Sequence, residues 1–141
     1  MFNLDQSLGF LVSRLASSMR SDLEMHLAEF GLTAPQWAVL MRLLERDNWP
    51  QKELGEALGM DKATVGGVVA RLQDKTLVAR KRDSLDARFY LVTATAKGRT
   101  VALSVQPLAT IVNRRATSGF AKSEIAELKR LLIRARYSMT S

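Results

Sequence analysis

The sequence predicts a mainly α-helical domain carrying one small β-hairpin, and two observations predict it. Apolar residues recur every three or four positions through most of the chain, which is the helical period. The exception is Leu77 to Ala94, where β-branched and aromatic residues flank the turn-forming run Asp83-Ser84-Leu85-Asp86.

The first helix is expected over about residues 4–30, with Leu4, Leu8, Leu11, Leu15, Met19, Leu23, Leu27 and Phe30 on one apolar face. Thr33-Ala34-Pro35-Gln36 is a capping box with proline in the first turn, so a second helix spans about 34–46 and carries Trp37, Leu40, Met41 and Leu44 into the core. It stops near Asp47-Asn48-Trp49-Pro50. The third helix, about 51–57, follows Pro50 and so starts without a side-chain cap. Gly59 comes where a left-handed residue closes a helix, and Asp61 where an acceptor opens the next, over about 62–74. Leu54, Leu58, Val65, Val68, Val69 and Leu72 then bury two helix faces against each other and leave Lys62, Ala63, Thr64 and Gly66 outward. Strands are expected near 77–82 and 88–94, and helices over 95–117 and 121–138. The last of these bears a second apolar stripe of Ile125, Leu128, Leu131, Leu132 and Ala135.

A helix, a turn of three or four residues, a second helix and a basic hairpin form the layout of a winged helix-turn-helix, whose second helix enters a DNA major groove. Charge agrees with that layout. Basic and acidic side chains number four and six in residues 1–50, ten and six in 51–100, and seven and two in 101–141, within a formal net charge of +7. Phosphate binding exploits such asymmetry, although a solvated charged face explains a mild excess equally well.

Other classes are excluded or disfavoured. The chain of 141 residues with 47% apolar content is the size of one domain, with no internal repeat or linker, and is read as a single unit over 1–141. Without cysteine there is no disulfide framework and no thiol redox switch. No Gly-x-Ser-x-Gly, phosphate loop or metal-ligand spacing occurs, so no catalytic residue, metal or cofactor is expected. The one histidine, His26, sits between Leu23 and Leu27 as an interface or half-buried helix residue. No apolar run approaches the ~18 residues that span a bilayer, and the first six residues lack a signal peptide's positive start, so a cytoplasmic location is expected.

With these residues in view, nearly the whole chain resembles the MarR (multiple antibiotic resistance regulator) family of bacterial transcription factors. The resemblance rests on the long first helix, Gly31 to Leu40 (GLTAPQWAVL), the helix-turn-helix, Asp86-Ala87-Arg88 in the wing, Thr95-Ala96-Lys97-Gly98 seven residues beyond that arginine, and two closing helices. Asp-x-Arg and Thr-x-x-Gly at this spacing are its most specific parts. The resemblance implies no enzyme activity and a ligand-responsive repressor of a pseudo-palindromic double-stranded DNA operator. It also implies a homodimer built from 1–30 and 99–141, with 31–98 as the DNA-binding lobe. From the stripes alone, packing on each other within one chain remained open.

The implied DNA-binding residues are Lys62, Ala63, Thr64, Gly66, Gly67 and Arg71 of the reading helix, with Arg80, Arg82, Asp86 and Arg88 of the wing. Arg88 would enter the minor groove with Asp86 orienting it. Lys62 and Thr64 would meet bases or phosphates, and Arg71 a phosphate. Small aromatic or phenolic carboxylates bind relatives in a crevice, for which Arg14, Met19, Arg20, Trp37 and Met41 are the candidates here. The plainer reading makes Trp37 and Met41 core and the two arginines solvated.

Five positions depart from the family pattern. Gly66-Gly67 replaces a polar residue and an arginine, at about 1 kcal/mol of helix propensity each relative to alanine. Thr76 replaces a common glycine, Ala94 a leucine and Pro50 a small polar residue. The glycine pair and the basic charge leave a second reading, an architectural DNA-binding protein of low specificity without an effector.

Overall fold

Ser7 has extended backbone, so the first predicted helix is cut short at its start. The computed structural model, which describes residues 1–140, has a 3₁₀ turn at Leu4–Gln6, then α1 (Leu8–Leu27) and a second 3₁₀ turn at Ala28–Phe30 closed by left-handed Gly31. α2 (Ala34–Glu45) opens on the expected capping box: Gln36 N donates to Thr33 Oγ1 at 3.4 Å, and Thr33 N to Gln36 Oε1 at 3.2 Å. α3 (Gln51–Leu58) starts uncapped after Pro50 and ends at Gly59, whose φ is 67°. α4 (Lys62–Asp74) is capped by Asp61, whose Oδ1 accepts from Thr64 N at 2.7 Å. That bond, with further ones from the same turn, holds the Asp61 carboxyl below the ordinary carboxylate range.

β2 (Val78–Arg82) and β3 (Tyr90–Ala94) form the antiparallel hairpin. β3 also pairs with a two-residue strand, β1 (Trp49–Pro50), which sequence patterning did not predict. Proline is admitted there because β1 is an edge strand in the order β1-β3-β2. α5 (Ala96–Ala116) and α6 (Lys122–Ser138) complete the chain.

The core joins all of α1 to α5 and the sheet through Leu27, Leu40, Leu43, Leu54, Val69, Leu72, Val92 and Val105. Each fully buried aliphatic side chain of this kind contributes about 1.5–3 kcal/mol. Of the α1 stripe only Leu23 and Leu27 are buried, while Leu4 and Leu8 stay 54% and 68% exposed. α6 buries no residue and packs extensively on no other element, so the two stripes do not cover each other within one chain.

The reading helix is held in place at its far end. Lys75 Nζ donates to Gln36 Oε1 at 2.9 Å and also to Gly31 O, tying the end of α4 to the start of α2. Thr76 lies at φ 61°, the left-handed region, which explains why glycine suits this position. Its surroundings hold it there: Thr95 Oγ1 donates to Thr76 O at 2.7 Å and Lys97 Nζ to Thr76 Oγ1 at 3.2 Å.

Candidate nucleic-acid interface

Along α4, burial of Val65, Val69 and Leu72 turns the opposite side to solvent. Lys62, Ala63, Thr64, Gly67 and Arg71 are exposed on it, and Gly66 is half-buried beside Gln51. The six reading-helix candidates therefore share one accessible side of one helix.

The wing arginines are less free than their charge suggests. Arg80 and Arg82 project from the same side of β2, and both guanidinium groups stack on the Tyr90 ring, 4.6 and 4.4 Å from its centroid. Arg80 Nη1 also donates to Gln51 Oε1 at 3.5 Å, linking the wing to α3. Arg82 Nη1 donates to Ala87 O at 2.7 Å, closing the wing loop. Both arginines thus brace the wing as well as charging it, with each stack worth about 0.5–1 kcal/mol where exposed.

Arg88 is the free end of the wing, with 83% of its side chain exposed. Asp86 grips it in a two-pronged pair, Nε to Oδ1 at 3.0 Å and Nη2 to Oδ2 at 2.8 Å, and accepts Arg88 N at 3.1 Å. The Arg88 side chain, then its backbone N–H, holds the Asp86 carboxyl below the usual range, and the same pair raises the guanidinium further above neutrality. Asp83 Oδ1 accepting from Leu85 N at 2.9 Å and Phe89 O accepting from Asp83 N at 2.9 Å shape the loop that presents this pair.

Between the start of α4 and the wing lies an open cleft of about 570 Å³, with Lys52, Lys62 and Arg88 on its walls beside Phe89 and Tyr90. The sequence reading did not select Lys52 or Gln51. One signal was available, since a lysine in the first turn of α3 opposes the helix dipole and gains nothing for the fold there.

The five ligand candidates do not come together. Arg14 lines an open hollow of about 370 Å³ between α1 and α5 with Ser17, Ser21, Asp22 and Arg115, and Met19 lines an adjoining hollow. Asp22 is 14% exposed at its side chain and pairs with Arg115 at 2.5 Å. Trp37 and Met41 instead pack half-buried against the core, and Arg20 is exposed on α1; none of the three lines either hollow. Among the described residues no three His, Cys, Asp or Glu side chains cluster to hold a metal, and no helix is long and apolar enough to cross a membrane.

The family model described as MarR family matches residues 32–89, the helix-turn-helix and most of the wing. The transcriptional regulator HosA of Escherichia coli O127:H6 is 33% identical over 103 residues, covering 73% of this chain and 76% of HosA. The chain belongs to the MarR family. A second relative, the HTH-type transcriptional repressor Rv2887 of Mycobacterium tuberculosis, is 26% identical over 128 residues, covering 91% of this chain and 92% of its own. Among solved structures, Bordetella bronchiseptica BpsR, described as regulated in its DNA binding by 6-hydroxynicotinic acid, superposes with a TM-score of 0.90 at 26% identity, covering 96% and 97% of the two chains. As a MarR member the chain is a transcriptional regulator with a winged helix-turn-helix, and not an enzyme.

Proposed function

We propose that the chain acts as a homodimeric repressor that grips a pseudo-palindromic operator and releases it when a small aromatic or phenolic carboxylate binds. The observation that carries the dimer is the bare apolar surface at both ends of one chain: Leu4, Leu8, Leu11 and Leu15 near the start, and Leu131, Leu132, Ile133 and Tyr137 on α6, all solvent-exposed in a single copy. Patches of this extent mark an interface. Residues 1–30 and 99–141 would supply it and 31–98 the DNA-binding lobe, although Leu23, Leu27, Ala102 and Val105 also tie α1 and α5 into the lobe's core. A two-fold axis through those helices sets paired α4 helices about one DNA turn apart, ~34–36 Å.

On the DNA, Lys62 and Thr64 contact bases or phosphates in the major groove, Arg71 a phosphate, and Arg88 the minor groove. Arg80 and Arg82 carry the wing and add charge beside it. The effector reading draws on BpsR, whose stated regulator is a small aromatic carboxylic acid. The hollow between α1 and α5 offers such an anion Arg14, beside an Arg115 already paired with Asp22, and it lies among the helices of the proposed dimer. An occupant preferring a wrongly spaced dimer by 1–3 kcal/mol weakens DNA binding about five- to 150-fold, and DNA must weaken effector binding by the same factor.

Sedimentation and operator titration test both halves. A dimer at micromolar concentration, and operator affinity that falls as aromatic carboxylates are added, are expected. A stable monomer, or an acid that binds tightly with operator affinity unchanged, would refute the corresponding half.

A further inference from the structure

Gly66 and Gly67 lie at the middle of the exposed side of α4, and nothing inside the protein asks for them. Gly31 and Gly59 are suited by positive φ, Gly98 is required by the close approach of Leu77 O, and Gly55 sits in tight contact with Val65 and Met60 O. A Cβ at Gly67 would meet no other atom within 4 Å. One at Gly66 would meet only Gln51 Nε2 at 3.6 Å, an ordinary contact. Both have helical backbone, where glycine is among the poorest helix formers. Their neighbours along the helix rows are also short: Ala63 is four residues before Gly67, and Ala70 four after Gly66. The longer groups, Lys62, Thr64 and Arg71, border this bare segment.

We propose that Gly66 and Gly67 determine specificity by letting the α4 main chain seat directly on the C5-methyl groups of thymines in each operator half-site. The inference rests on the reading of α4 as the recognition element. A helix interior spends its own N–H and C=O groups on its ladder, so a segment without side chains cannot read the hydrogen-bonding pattern of base edges. What it offers is an apolar surface at the closest possible approach. The thymine methyl is the one apolar feature of the major-groove edge, so it is the feature such a surface fits.

The experiment starts from an operator selected by the wild-type chain out of random DNA. Gly66→Ala and Gly67→Ala are each expected to raise the melting temperature, by about 2–5 °C. They are expected at the same time to weaken the selected operator at least tenfold, while affinity for unrelated DNA at equal salt changes less than threefold. Replacing the half-site thymines by uracil, which deletes only the methyl, should weaken the wild type severalfold and the Gly67→Ala protein little further. A stabilised Gly67→Ala protein with full operator affinity overturns the inference, as does a uracil operator bound as well as the original. A lowered melting temperature overturns it too, because the glycine is then structural. Failure of the wild type to select any sequence overturns the broader reading of α4 as well.

Discussion

Gly98→Ala is expected to destabilise the protein by at least ~3 kcal/mol, lowering its melting temperature by about 10 °C. Gly98 lies in the first turn of α5, where its N–H donates to the Thr95 cap at 3.0 Å. A Cβ there would stand 1.8 Å from Leu77 O and 2.8 Å from Leu77 C. Both are main-chain atoms of a buried residue, so no rotamer relieves the clash. α5 must back away from the base of the wing, breaking Thr95 N to Leu77 O at 3.1 Å and Thr95 Oγ1 to Thr76 O at 2.7 Å. Alanine gains only about 1 kcal/mol of helix propensity in return, so the steric term wins. Thermal unfolding of the variant measures the balance; an unchanged or raised melting temperature would mean that α5 does not approach β2 this closely. The opposite sign expected at Gly67 makes the two glycines controls for each other.

Arg88→Ala is expected to weaken operator binding about five- to 150-fold without loss of fold. The side chain is the more exposed member of the wing pair, held by Asp86 and standing over the Phe89 ring 5.7 Å from its centre. Its removal therefore costs the DNA contact rather than the core. Because an arginine in the minor groove responds to groove potential more than to base edges, the loss should be similar across operator variants. Asp86 titrates below the usual carboxylate range when folded, so the pair is intact above that range and lost only as pH falls through the lowered value. Its contribution should be constant between about pH 6 and 8. Gel shifts with the folded variant settle the point, and unchanged affinity would remove Arg88 from the interface.

Much of this architecture was legible because it is local. The capping box at Thr33, the left-handed Gly59 and the Asp61 cap each depend on residues within a few positions, and all formed as read. What escaped depends on residues far apart in the chain. β1 is two residues long, includes a proline and exists only because β3 reaches Trp49 and Pro50. The family's glycine at position 98 has a reason only once Leu77 O is seen beneath it, and threonine at 76 is tolerated through Thr95 and Lys97, about twenty residues on. The sequence names Arg80 and Arg82 as wing residues for DNA, but not that both stack on the Tyr90 ring of the neighbouring strand. The ligand candidates scattered for the same reason. Periodicity puts Trp37 and Met41 on an apolar face without telling crevice from core, and Arg115 meets Asp22 across 93 residues.

The central claim is that α4 and the wing read a particular DNA sequence, and competition between a selected operator and bulk DNA at fixed physiological salt tests it most directly. Discrimination of at least ~10³ in favour of the operator is expected of a sequence-specific regulator. A ratio near one, with tight and strongly salt-dependent binding to both, would contradict it and leave an architectural DNA-binding protein in its place.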